Sequence, residues 1–226
     1  MKSKNIVCLD YRVKEQRDAA VQLHSELLPE SPIRLLGRFF MAKFYYNKLV
    51  KDGLVSCDLY KYNDKFVGLL SYTKYPSSFM RNGRNRNFIY LICILIISIM
   101  ARPWRVAVLL DILKVSSRRR RLDEGGVAEF LSFGVLKPYR HIIDEESGLR
   151  IADLLFLNRI SFFKKEGYKK VILSIIKKED NEGIFTFYKF YGTSFTKDTR
   201  KETGFDNAFM GIYDLTRENQ RVEQAI

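Results

Sequence analysis

Apolar positions along the chain switch repeatedly between two periods. A short apolar run at Ile6 to Leu9 precedes a helical pattern through Ala20, Leu23 and Leu27, which predicts a strand and then a helix. From Ile33 to Lys51, Leu36, Phe40 and Phe44 recur at four-residue spacing, and Gly53 supplies a stop signal. Leu54 to Tyr60 and Phe66 to Tyr72 are rich in β-formers. Tyr62-Asn63-Asp64 between them carries turn chemistry, so the pair predicts an antiparallel hairpin.

The character changes from Pro76 to Gly126, a basic, arginine-punctuated stretch that reads as a helical insertion. It holds two apolar runs, Phe88 to Met100 and Val106 to Leu113. The first is too short for a spanning helix, because Arg102, Pro103 and Arg105 break it before it reaches about twenty residues. Beyond it, Ala128 to Leu136 predicts a strand, and Leu149, Ala152, Phe156, Ile160 and Phe163 mark a helix to Glu166 that Gly167 ends. Val171 to Ile176 has the apolar run of a strand buried on both faces, which completes a β-α-β unit. A helix from Asn181 to Tyr191 and strands near Ser194 to Glu202 and Ala208 to Asp214 follow.

Composition changes this picture in two places. With 226 residues, 46% hydrophobic and 14% aromatic, the chain can bury a full core, and we expect one domain over 1–226 with the insertion at about 76–126. The net charge of +13 is concentrated: Arg81 to Arg121 holds ten Lys/Arg and one acid, Asp111. Cys8, Cys57 and Cys93 have neither disulfide-framework nor C-x-x-C spacing, and read as buried thiols without a metal site. The first fifteen residues lack an apolar stretch of signal-peptide length, so the expected address is the cytoplasm.

Two segments carry a resemblance. Ala128-Glu129-Phe130-Leu131-Ser132-Phe133-Gly134-Val135, followed by Tyr139-Arg140, is similar to the fourth strand of the Gcn5-related N-acetyltransferase (GNAT) superfamily, commonly written aEL..l.V.P.yR. Asn181 to Gly192, with Phe187-Tyr188 and a glycine four residues after the tyrosine, resembles the family's N..A...fYek.GF segment. The resemblance implies an α/β (α+β) fold with a central mixed, mostly antiparallel sheet of six to seven strands. Helices would flank that sheet, and the basic insertion would lie between strands 3 and 4. It implies transfer of an acetyl group from acetyl-CoA to an amine, with no metal.

In the family the fourth strand bulges and splays from the fifth, so that its backbone pairs with the pantetheine amides. By resemblance Phe133, Gly134 and Val135 hold that position, with the Val135 amide also polarising the thioester carbonyl. Arg140, Ser147, Gly148, Leu149, Arg150 and Asn181 complete the expected cofactor contacts, Arg140 as a phosphate partner and the helix start near Gly148 as a source of amide donors. Tyr188 is the expected general acid and Glu129 the base, direct or through water. The stretch Arg140 to Arg150 departs from the family loop: it is longer, has one glycine and carries three acids, Asp144 to Glu146. His24 reads as structural and His141 as a solvated loop residue.

Resemblance to insertion-bearing members among surface-polysaccharide enzymes points to an amino sugar or nucleotide sugar as acceptor. For the insertion, helices covering the acceptor site is the preferred reading and contact with an anionic membrane through 81–121 the rival. No nucleic-acid module accompanies the charge. The alternative function is a degenerate member acting as a binding or membrane-docking module without catalysis. Oligomeric state is left open, a homodimer included.

Overall fold

Residues 3–110, 125–176, 182–197 and 208–217 are described by the computed structural model, and seven strands among them form one sheet. The strand β1 (Ile6–Cys8) pairs antiparallel with β2 (Ser56–Tyr62), and β2 with β3 (Lys65–Thr73). The β2–β3 turn falls on Asn63 and Asp64, whose φ values of 44° and 59° are the positive angles of a two-residue hairpin loop. Next comes β4 (Val127–Val135), antiparallel to β3, then β5 (Lys170–Ile176), parallel to β4. The last two are β7 (Ala208–Asp214), antiparallel to β5, and β6 (Ser194–Lys197) on the outer edge. The spatial order is therefore β1-β2-β3-β4-β5-β7-β6.

Strand alternation sorts the core by face. Cys57, Leu59 and Leu69 point to one side, where they meet α1 (Lys14–Leu27), α2 (Pro32–Leu35) and α3 (Arg38–Phe40), which runs on as a wider π-helical stretch, Met41–Leu49. Buried Phe40, Met41, Phe44, Tyr45, Tyr46 and Leu49 fill this layer. The continuous helix expected from Ile33 is interrupted at Gly37, whose φ of 104° no helix accommodates. On the opposite side Leu70, Tyr72, Ala128 and Phe130 meet α6 (Ile151–Lys165) and α7 (Glu182–Phe190). Burial of Phe156, Ile160 and Phe163 agrees with the helical spacing, and α6 is the crossover of the parallel β4–β5 pair.

The insertion begins with α4 (Phe79–Arg86) and α5 (Phe88–Ala101), bent by 98° at Asn87. Both pack on α3: Gly83 lets α4 approach Leu49, and Ile94 enters the same core cluster. Ser98 donates to the Leu36 carbonyl, and Arg105 donates from Nη1 to the Ser98 carbonyl at 2.9 Å. Residues 105–110 turn helical again, and 111–124, with Arg118 to Arg121, lie outside the described residues. No single helix among the described residues is long and apolar enough to cross a membrane, although α4 and α5 pass that test as a bent pair. Of the three cysteines only Cys57 is buried; Cys8 and Cys93 are exposed, on an edge strand and on the outer face of α5, which corrects the expectation of three buried thiols.

Candidate functional site

The sheet opens at one place. Pairing of β4 with β5 runs from Val127 opposite Lys170 to Phe130 opposite Leu173 and stops there. Beyond it β5 continues against β7 alone, Ser174 facing Met210 and Ile176 facing Ala208, while β4 continues against β3 alone. A register shift marks the parting. Tyr72 faces Phe130 and Ser71 faces Ser132, so Leu131 is the extra residue of a β-bulge, which bends its strand and raises local twist. Leu131 to Val135 thus has no β5 partner and borders a V-shaped slot.

Which amides face the slot follows from alternation. Leu136 donates its N–H to the Val67 carbonyl at 2.9 Å, so its backbone groups point toward β3. Those of Val135 and Phe133 then point toward the slot. Arg140 agrees with this, since its Nε donates to the Val135 carbonyl at 3.1 Å from the far side. Gly134 plays a different part: a Cβ there would lie 3.2 Å from Leu27, so its missing side chain serves the packing of α1.

On the α6 side, aromatic rings pack beside this stretch of β4. Phe133 lies with its ring centroid 5.4 Å from Phe187 and 5.9 Å from Tyr188, and Phe156 stands 5.8 Å from Tyr188. Tyr188 occupies the last turns of α7, where Gly192 at φ 85° reverses the chain and Thr193 donates its N–H to the Tyr188 carbonyl at 3.0 Å. The tyrosine is 3% exposed, and burial pushes its hydroxyl pKa well up, so it keeps its proton through neutral pH.

Glu129 is buried too, at 4%, but alternation puts it on the α1 side, paired with Thr73 and Ile172 at the vertex of the V. The two predicted catalytic residues therefore lie on opposite faces of β4. The Glu129 face of β4 carries a polar cluster that sequence reasoning missed. His24 is 2.7 Å from the Tyr46 hydroxyl through Nδ1 and 2.9 Å from the Ser31 hydroxyl through Nε2. Ser132 of β4 lies 3.4 Å from the same Nδ1. Burial lowers the His24 pKa to about 4, so the ring is neutral and purely a hydrogen-bond hub. A polar residue two places after Phe130 in an apolar strand was the available signal for Ser132.

The loop from Arg140 to Arg150 is organised around a carboxylate. Asp144, one of the three acids of this stretch, is buried and accepts from Tyr60 Oη at 2.6 Å, Asn5 Nδ2 at 2.8 Å and the Ser147 amide at 3.0 Å. Those donors hold its pKa low against the opposing effect of burial. The Gly148 amide bonds the Asp144 carbonyl at 2.8 Å, and the Leu149 amide bonds Ser147 Oγ at 3.3 Å. Arg150 reaches along α6 to Asp153 through Nε at 2.7 Å, and Tyr191 donates to the same carboxylate at 2.8 Å. The amides of Ser147, Gly148 and Leu149, expected to hold phosphate, are thus engaged within the loop. Arg140, His141, Glu145 and Glu146 are exposed, and Asn181 falls outside the described residues.

No family model matches the chain, and no curated protein sequence does. Its fold has solved counterparts. The chain is similar to the PaiA N-acetyltransferase of Thermoplasma acidophilum in complex with coenzyme A, at 12% identity and a TM-score of 0.54, covering 92% of this chain and 98% of that one. It is similar to a GNAT-family acetyltransferase of Staphylococcus aureus Mu50, at 13% identity, TM-score 0.53, 94% of this chain and 99% of that one. A probable acetyltransferase of Staphylococcus epidermidis matches at 12%, 0.52, 94% and 99%. The fold is the GNAT fold: a mixed α/β architecture around a seven-stranded, mostly antiparallel sheet, as the two sequence segments imply.

Proposed function

We propose that the protein transfers an acyl group, acetyl in the simplest case, from its coenzyme A thioester to an amine of a small acceptor. The observation that carries this reading is the slot between β4 and β5. There a bulge at Leu131 releases the amide edges of Phe133 and Val135 from strand pairing, and a buried tyrosine stands beside them. The pantetheine arm has two amides at the spacing of a strand, and an unpaired strand edge is the natural partner for it.

In this reading the thioester lies in the slot, accessible from both faces of the sheet, which gives the separation of Glu129 and Tyr188 a use. The acceptor nitrogen attacks the carbonyl carbon from the α1 side, and its proton passes to Glu129, directly or through a water. The Val135 N–H stabilises the developing oxyanion. As the C–S bond breaks, Tyr188 on the other side hydrogen-bonds the thiolate and supplies its proton. A hydroxyl with a raised pKa is a reluctant acid, so its contribution grows only as charge develops in the same dry surroundings. Arg140, already at the mouth of the slot, would meet phosphate once its Nε leaves or shares the Val135 carbonyl. An amino sugar or nucleotide sugar remains the proposed acceptor class, with reaction in the cytoplasm.

A second reading, a GNAT-fold binding module without turnover, is favoured by one observation: the loop amides that would take a pyrophosphate are filled by Asp144 and Ser147. Turnover assays with acetyl-CoA and a panel of amino sugars separate the two. Free thiol released above the no-acceptor rate supports transfer. Absence of coenzyme A binding together with no thiol release from any acceptor supports the module.

A further inference from the structure

The helix α5 is apolar on every side, yet among the described residues only one side is covered. Ile94 and Ser98, with half-buried Leu91 and Leu95, face α3. Ile89, Cys93, Ile96 and Met100, at spacings of four, three and four, form a stripe on the far side, flanked by Ile92 and Ile97. Exposure on this stripe is high, 79% at Ile89, 51% at Ile96 and 78% at Met100. An amphipathic helix would carry charge there; this one carries none, so the stripe calls for an apolar cover.

The surroundings say what kind of cover. Arg81, Arg84 and Arg86 are exposed on α4 just before the stripe, and Arg102 is exposed just after it. Arg105 is excluded from this set, because its guanidinium packs over Gly37 and caps the end of α5. Asp52, which accepts from Asn87 at 2.6 Å, is the acid at the α4–α5 bend. Beyond Arg102 stands Trp104, half exposed and the single tryptophan of the chain. A second copy laid on the stripe would bring the exposed Arg81, Arg84, Arg86 and Arg102 of each copy toward one another, which is unfavourable. An anionic bilayer meets the apolar stripe with its acyl boundary, the flanking arginines with its phosphates and the indole with its headgroup layer. At fourteen residues α5 is about 21 Å long, enough to lie in that layer as an interfacial helix.

We propose that α5 with its flanking arginines docks the protein on an anionic membrane surface, helix axis parallel to the bilayer and the stripe Ile89–Ile96–Met100 inserted. The proposal stands on the insertion alone and does not depend on acyl transfer at the slot.

The test uses the whole chain with vesicles of phosphatidylcholine, with or without about a third phosphatidylserine, at ~0.1 M salt, followed by flotation and by the fluorescence of Trp104. The expected result is flotation with the anionic vesicles only, a blue shift of the Trp104 emission on binding, and release at roughly 0.5 M salt. Ile96→Asp with Met100→Asp abolishes flotation, and Arg84→Gln with Arg86→Gln and Arg102→Gln weakens it by about a hundredfold, at roughly fivefold per arginine near an anionic surface. All these positions are exposed, and an unchanged melting temperature verifies folding. Absence of flotation overturns the proposal, as does equal flotation on neutral vesicles. A lipid-independent dimer that Ile96→Asp converts to monomers also overturns it, in favour of self-association.

Discussion

A histidine enclosed between a tyrosine and two serines is committed to one charge state. With its pKa lowered from 6.5 to about 4, His24 stays neutral in the fold while the unfolded chain takes up the proton first as pH falls. Its contribution to stability is therefore complete above about pH 6.5, declines between 6.5 and 4, and is flat below. The decline amounts to on the order of 3 kcal/mol. Urea unfolding from pH 4 to 7 should show that loss in the wild type and a flatter profile in His24→Gln; parallel profiles would contradict it. A second buried group makes a stronger demand. Arg159 of α6 reaches Asp58 of β2 through Nε at 2.9 Å and through Nη2, and stacks over Tyr72 at 4.1 Å and Phe162 at 4.6 Å. Burial raises the Asp58 pKa, and Arg159 opposes the rise. Arg159→Met leaves that carboxylate alone and should cost about 3–5 kcal/mol in urea unfolding, most of it recovered by adding Asp58→Leu. At the proposed site, Tyr188→Phe should lower turnover by about 10²- to 10⁴-fold with little change in coenzyme A affinity, measured by steady-state kinetics and calorimetry.

Among the elements, β4 decides what the fold can do. Its bulge at Leu131 turns one strand into two halves, the first locked between β3 and β5, the second paired on one side only. Because the Val135 N–H faces the slot rather than β3, Val135→Pro removes that donor without removing a ladder bond. It should weaken coenzyme A binding at least tenfold while the fold persists by circular dichroism. The break between α2 and α3 is equally local. A Cβ at Gly37 would sit 2.5 Å from Arg105 Nη2 at a φ of 104°, so Gly37→Ala should cost roughly 1–3 kcal/mol in thermal unfolding. Periodicity reads Ile33 to Lys51 as one helix because Leu36, Phe40 and Phe44 keep the helical spacing across that glycine. Only the arrival of Arg105, some seventy residues later, explains the interruption. Strand and helix identities elsewhere were legible because each shows its period over a full element, as Ile160 and Phe163 do on α6.

At the scale of the whole molecule, the order of elements and the two quoted segments were enough to name the GNAT fold, and the sheet order agrees. What local pattern could not convey is long-range partnership. The three acids Asp144 to Glu146 stand side by side in sequence, yet Asp144 alone turns inward because Asn5 and Tyr60, distant in the chain, offer it donors. Glu129 and Tyr188 likewise read as neighbours in function, and only the alternation of a bulged strand reveals that β4 stands between them. The central claim is that the β4–β5 slot receives a coenzyme A thioester. Isothermal titration of the full chain with coenzyme A and acetyl-CoA tests it most directly: the account predicts saturable one-site binding that Val135→Pro weakens, and no binding at millimolar ligand would contradict it.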